Sequence, residues 1–307
     1  MSLRINNNIE SMNAHRNLLM NDRALSKSLE RLASGQKINR AADDPAALVI
    51  SEHMRAQVSG MKQAIRNNEV AISLVQTAEG SMNEISSILV SLRQRAISAA
   101  NVGASDQDMI DANQAEIENA LASIDRVVST TQFGHYKLLD GTNAAKTETN
   151  EDGSISTQEG LRFHVGPNAE HMASTSIRDM STSALGRVTV PEGEMPNKSN
   201  FMSLADIDVR NEQGAQDALA IIDQALTEVA SVRGELGAFQ KHTLESNLTS
   251  LQVAAENMTA AESTIRDTDM AQELATFTRN QIMTQSATAQ LAQANAMPQH
   301  VLRLLNG

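Results

Sequence analysis

The 307-residue sequence predicts a mainly α protein: an elongated antiparallel helical bundle or coiled coil of N- and C-terminal segments, with a small β-hairpin region in the middle. Three observations carry this. Apolar residues recur at three-and-four spacing over long stretches at both ends of the chain. Only five of its residues are Pro, and none lies between Pro45 and Pro167, so long runs are free of the strongest helix breaker. The third is the near absence of aromatic bulk, with five Phe, one Tyr and no Trp, which argues against one large globular core although 41% of residues are hydrophobic. Stripes of Leu, Ile, Val, Met and Ala remain as the source of burial.

From Ile5 the positions Ile9, Met12, Leu18, Leu19, Leu25, Leu29 and Leu32 predict one amphipathic helix that stops at Ser34-Gly35, glycine being the usual left-handed residue past a helix end. A polar connector follows. At Asp44-Pro45 a new helix is expected, because Asp44 can accept from free N–H groups of the first turn and Pro45 has φ preset for the first helical position. Its stripe of Met54, Val58, Met61, Ile65, Ile72, Val75, Met82, Ile85, Leu89 and Leu92, with Asn68 and Glu79 on the same side, reaches about Asn101. Ser105, Asp106 and Asp108 mark the start of a third helix, carried by Ile110, Ile117, Leu121, Ile124 and Val128. So short a connection makes the two helices an antiparallel hairpin.

After Thr131 the character changes. Phe133-Gly134-His135-Tyr136 and Leu138-Leu139-Asp140-Gly141 read as turns, and residues 142–160 are too poor in apolar side chains to pack. Residues 161–165 alternate as a strand does, with residues 174–180 as the expected partner in a β-hairpin. Residues 187–200 read as loop. Helical periodicity resumes near Ala215 and runs through Leu236, Leu251 and Ile265, and a last Gln- and Ala-rich segment holds Leu274, Phe277, Ile282, Leu291, Val301, Leu304 and Leu305. With so little bulk, the terminal helices need further partners to offset their ordering entropy.

The formal charge is −12, and no basic run could track a phosphate backbone, so nucleic acid is not an expected partner. No stretch approaches the ~18 apolar residues of a membrane span, and the first twenty residues lack a signal-peptide apolar region. Export, if it occurs, is expected to use a route that reads an uncleaved chain. Zero cysteine removes disulfides and thiolate sites. The seven histidines fall in no ligand-spaced pattern; His164 and His171 are the closest pair and read as surface residues of a hairpin. Asp43-Asp44 reads as helix-cap chemistry rather than an acid–base pair, and no Walker, GxGxxG or GxSxG motif occurs. Neither an enzyme nor a cofactor or metal site is expected.

Two sets of residues carry a family resemblance. At the N-terminal side these are Leu3-Arg4-Ile5-Asn6-Asn7-Asn8, Leu32-Ala33-Ser34-Gly35-Gln36-Lys37-Ile38-Asn39, Arg40-Ala41-Ala42-Asp43-Asp44-Pro45-Ala46, Gln114-Ala115-Glu116-Ile117 and Ile124-Asp125-Arg126-Val127. At the C-terminal side they are Ser231-Val232-Arg233-Gly234-Glu235-Leu236-Gly237-Ala238-Phe239-Gln240, Ile265-Arg266-Asp267-Thr268-Asp269-Met270-Ala271 and Leu291-Ala292-Gln293-Ala294-Asn295. In this order they resemble bacterial flagellin. The resemblance implies a motility filament subunit, exported through the flagellar type III apparatus with an export chaperone and polymerised beneath a filament cap onto hook-junction proteins. It also implies an inner coiled coil of residues 1–43 with 266–307, a helical bundle of 44–186 with 212–265, and a short central loop at 187–211 in place of outer domains. Ile5, Ile9, Met12, Leu19, Leu25, Leu29, Leu32, Leu274, Phe277, Ile282, Leu291, Val301, Leu304 and Leu305 would then form the filament-core interface. The filament would be extracellular, with a bare, sheathed or periplasmic form left open. The related hook–filament junction protein is the alternative.

One departure concerns a partner. On the face that in this family docks the vertebrate Toll-like flagellin receptor, the positions are Ser91, Arg93, Arg95, Glu116 and Ile222. Ser91 and Arg95 replace the docking Arg and Leu, although Glu116 and Ile222 fit the neighbouring pattern, and a charge at the apolar anchor lacks an evident partner. Weak or absent receptor activation is expected.

Overall fold

The computed structural model describes residues 8–101, 106–144, 146–149, 155–158, 160–187 and 197–305, with backbone alone at 146–149, 155–158 and 298–305. Six helices dominate: α1 (Ile9–Ser34), α2 (Pro45–Ala100), α3 (Gln107–Thr130), α4 (Glu212–Ala238), α5 (Ser246–Arg266) and α6 (Met270–Leu305). Six short strands form three separate antiparallel pairs, β1 (Gln132–Phe133) with β2 (Tyr136–Lys137), β3 (Lys146–Thr149) with β4 (Ile155–Gln158), and β5 (Leu161–His164) with β6 (Met172–Thr175). The chain divides into two compact units, one of Met1–Ser59 with Ala255–Gly307 and one of Gly60–Ala254. These limits differ from the expected breaks at 43 and 266, because α2 and α5 each contribute a stretch to both units.

The expected punctuation has a physical basis at each helix end. Asn8 caps α1, its Oδ1 accepting from the Ser11 N–H, and Gly35 ends the helix with φ +70° while its N–H donates to the Arg31 carbonyl. Asp44 Oδ1 accepts from Ala47 N at 3.0 Å at the start of α2. Asp106 stands at the N-cap of α3 without a side-chain cap bond, leaving Asp108 in the first turn to complement the dipole.

The Gly60–Ala254 unit has one continuous core. Met82, Ile85, Leu89 and Leu92 of α2 meet Ile117 and Ile124 of α3 and Ile222, Val229 and Leu236 of α4, all essentially without solvent contact. Ala71, Ala78, Ala96 and Ala99 on the same stripe let the backbones approach. The 201–209 segment lies in the expected central loop and is irregular apart from Leu204–Asp206, but it is packed, with Phe201, Leu204, Ile207 and Val209 buried in this core. Gln114 holds it there: Val209 N donates to Gln114 Oε1 at 2.9 Å and Gln114 Nε2 donates to the Ile207 carbonyl at 3.3 Å, so a buried side-chain amide stands in for a strand neighbour.

Three other expectations change. Within the polar 142–160 stretch two described segments pair as a ladder, Lys146–Thr149 with Ile155–Gln158 from Lys146↔Gln158 to Thr149↔Ile155. A ladder satisfies the backbone groups without any apolar side chain. The partner of β5 begins earlier than residue 174, the register running from Leu161↔Thr175 to His164↔Met172. Between α4 and α5 the helical path widens into a π-helical turn, Phe239–Glu245, which stacks Phe239 on Phe163 with centroids 6.2 Å apart.

The β5–β6 turn is tied to two helices by asparagines. Asn67 Nδ2 donates to the His164 carbonyl at 3.1 Å, while Asn68 Nδ2 of α2 and Asn247 Nδ2 of α5 both reach the Val165 carbonyl, at 3.2 and 2.6 Å. This explains a polar residue on the α2 stripe, since Asn68 is fully buried. Gly60 sits against Pro167, where a Cβ would approach its ring to 3.2 Å.

Candidate assembly interface

In the terminal unit α1 and α6 pair antiparallel. Along α1 the residues turned from solvent are Ser11, Ala14, Leu18, Asn21, Leu25, Ser28 and Leu32, at alternating steps of three and four. The facing series on α6 is Glu273, Phe277, Asn280, Thr284, Ala287, Leu291 and Ala294. That is a heptad seam. Nine of these fourteen residues are small or polar. Asn280 Nδ2 donates to the buried Ser28 Oγ at 3.3 Å, Ser11 Oγ donates to Asn295 Oδ1 at 2.6 Å, and Arg31 lies 3.7 Å from Glu273, which is itself buried.

The single amphipathic stripe read from the sequence therefore splits. Leu25, Leu32, Phe277 and Leu291 lie in the seam. Ile9, Met12, Leu19, Leu29, Leu274 and Ile282 face outward with 44–68% of their surface exposed, as does Met20. Ile5 lies outside the described residues, and Val301, Leu304 and Leu305 are described in backbone only. A helix pair that buries serine, alanine and asparagine while exposing isoleucine, leucine and methionine leaves most of its hydrophobic free energy ungained, at ~25 cal/mol per Å² of apolar surface.

At one end of the seam Asn8 does two things. Its Oδ1 caps α1, and its Nδ2 donates to the Ala294 carbonyl at 2.8 Å. In a regular helix that carbonyl would accept from residue 298, but residue 298 is Pro and has no N–H. Asn8 supplies the missing donor. Replacing Asn8 with Ala is expected to raise hydrogen exchange of the first α1 turns through a loss of about 1–2 kcal/mol. In a Pro298→Ala background, where the helix can satisfy Ala294 itself, only the cap's share should remain. A double-mutant cycle read by exchange mass spectrometry checks this, and additive losses would contradict it.

At the other end two connectors meet. Lys37 N donates to the Arg266 carbonyl at 2.7 Å and Thr268 N to the Gly35 carbonyl at 3.0 Å, making an isolated antiparallel bridge between Gln36 and Asp267. Arg266 spans the junction, reaching Gln36 Oε1 at 3.3 Å and Glu52 Oε1 of α2 at 2.6 Å. The hydrogen bond from Arg266 holds the Glu52 carboxyl below the usual range. Asp43, expected to share cap chemistry with Asp44, instead closes the first connector: its Oδ2 accepts from Asn39 N and Arg40 N and its Oδ1 from Lys27 at 2.7 Å.

The Lys27 hydrogen bond, aided by those two N–H groups, lowers the Asp43 pKa. A lowered folded-state carboxylate pKa means stability that is complete above the unfolded value, about 4, and lost as pH falls through the folded one. Asp43→Asn should remove that part of the acid sensitivity, as seen when exchange of the 36–44 connector is compared at pH 6 and pH 3. An unchanged pH response would exclude the clasp.

The receptor-face expectation is corrected in two respects. Arg95 has a partner, its Nη2 lying 2.7 Å from Glu116 Oε1, and Arg93 binds Asp223 at 2.6 Å. Ile222 is not on the surface at all but fully buried in the core. Ser91 is exposed on α2. Among the described residues no group of His, Asp and Glu is arranged to hold a metal ion, and no helix is long and apolar enough to cross a membrane. Charge is segregated. The terminal unit has eleven Lys and Arg against eleven Asp and Glu, so the whole −12 belongs to residues 60–254.

Long helices, chain ends paired through a thin seam and an outward apolar surface define a subunit of a self-assembling helical protein. Residues 5–144 match the bacterial flagellin N-terminal helical region and residues 219–305 the bacterial flagellin C-terminal helical region. The chain is 40% identical to the flagellin of Bacillus subtilis (strain 168), with 99% of this chain and 100% of that protein covered. It is 38% identical to the 30.7 kDa flagellar filament core protein of Treponema maltophilum, with 98% and 99% covered. A solved structure assigned to the flagellar hook-associated proteins of Vibrio parahaemolyticus shares the fold, with TM-score 0.56, 15% identity, and 73% of this chain and all of that one covered. The chain belongs to the bacterial flagellin family.

Proposed function

We propose that this flagellin polymerises through the outward apolar faces of α1 and α6, each copy covering surface that its neighbour's own seam leaves bare. The observation that carries this is the inversion of the terminal unit, with Ser28 and Glu273 buried while Ile9, Met12, Leu274 and Ile282 are exposed. The family is a structural one, and its members named above are filament proteins. Relatives over nearly the whole chain are filament proteins, which favours filament subunit over the hook–filament junction reading. Flagellar export, an export chaperone, a filament cap and hook-junction proteins complete the set of partners. The filament lies outside the cytoplasm.

Seeding tests the reading. Purified subunit mixed with sheared filament fragments should elongate them, as read by sedimentation and negative-stain microscopy. Failure to add to seeds at any concentration or ionic strength would overturn it.

For the Toll-like flagellin receptor the pairing of Arg95 with Glu116 and of Arg93 with Asp223 supports weak engagement. Both cations are already satisfied within the molecule, and the apolar anchor is replaced by a charge. A reporter-cell dose response should be displaced at least about tenfold from that of a strongly stimulatory flagellin, and a response of equal potency would refute the expectation.

A further inference from the structure

We infer that the outward methionines of the terminal unit form an oxidation site that decides whether a copy can join the polymer; this rests on the reading of those faces as contact surfaces. Met12 and Met20 on α1 and Met270, Met283 and Met297 on α6 are 47–68% exposed, whereas Met61, Met82 and Met180 are at most 5% exposed. With no cysteine in the chain, exposed thioethers are the most readily oxidised side chains a peroxide meets, and these five share that exposure with Met109, Met172 and Met202 of the other unit, which stay in place as internal controls. The five also lie among the residues that must be covered. Met12 stands one heptad before Leu19 on the same face of α1, and Met283 adjoins Ile282 on α6.

The chemistry is a two-electron oxygen transfer. The thioether sulfur attacks a hydroperoxide, an S–O bond forms as the O–O bond breaks, the sulfur is oxidised to the sulfoxide, and hydrogen peroxide is reduced to water. The product is a polar acceptor on a formerly apolar, flexible side chain. Covering it against a neighbour's isoleucine or leucine leaves that acceptor unpaired. In an assembled polymer the same sulfurs are shielded, so the free chain is the sensitive form. The two epimer-specific methionine sulfoxide reductases, with a dithiol as the two-electron reductant, reverse the change on the free chain, the dithiol becoming a disulfide and the sulfoxide oxygen leaving as water.

The test treats monomer with hydrogen peroxide, maps the added oxygen by peptide mass spectrometry, and measures seeded growth. Oxygen should appear at the five terminal methionines well before Met61, Met82 and Met180, and the critical concentration should rise about tenfold or more. A variant carrying M12L, M20L, M270L, M283L and M297L should grow equally with and without peroxide, and reductase should restore growth of the oxidised parent. Normal growth of parent with all five sulfurs oxidised, equal loss of growth in the treated leucine variant, or no recovery with reductase would each overturn the inference. An untreated parent that never elongates seeds would count against the contact surface itself.

Discussion

Ile282→Asp is expected to suppress filament growth while leaving the Gly60–Ala254 unit folded. Ile282 is 58% exposed on α6, so a carboxylate there costs the free chain almost nothing. In an apolar contact it would be buried without a cation, a loss of at least about 3 kcal/mol. Since each ~1.4 kcal/mol is a factor of ten in an association constant, the critical concentration should rise more than about 100-fold. Sedimentation of seeded reactions measures growth, and the circular dichroism melt should match the parent's. Leu25→Asp, in the seam, serves as contrast, because it should already disturb the free chain. Near-parental growth of the Ile282 variant would remove α6 from the contact surface.

The second large effect is on folding. Leu89, toward the C-terminal end of α2, has no solvent contact within the core shared with α3 and α4. Leu89→Ala removes buried methyl groups and leaves a cavity, which costs about 3 kcal/mol within a range of roughly 2–5. For a cooperative unit of this size the melting temperature should fall by on the order of 10 °C. Denaturant unfolding of the monomer measures the loss, and a change below about 1 kcal/mol would mean that these three helices do not share one core. Val90→Ala, at a neighbouring exposed position, should be almost neutral.

These expectations separate what local sequence pattern can reveal from what it cannot. Gly35, Asp44 with Pro45, and Asp106 mark helix ends because cap and turn chemistry acts within a few residues of chain. The long stripe of α2 is legible for the same reason, one face being buried along most of its length. The terminal helices were harder, because periodicity reports that a helix has an apolar side but not which side meets the intramolecular partner. Leu25 and Leu29 look alike in the sequence, yet one lies in the seam and the other faces out. Pairings over long separations left no local trace: Arg95 with Glu116, Gln114 with Val209, and Asn8 with the carbonyl that Pro298 cannot satisfy. A motif containing both Asn8 and Pro298 would have pointed to the last of these, since proline within a helix announces an acceptor in need. The β3–β4 ribbon escaped notice because it rests on main-chain pairing and not on composition.

The segregation of charge has a consequence for growth in salt. Every copy that joins brings twelve net negative charges, all within residues 60–254, while the terminal unit, whose apolar faces we propose as the joint, carries no net charge. Counterions therefore screen a repulsion without weakening the attraction, and excluded anions such as sulfate strengthen the apolar contact further. A filament joined in this way is expected to loosen on dilution into fresh water and to hold in brine.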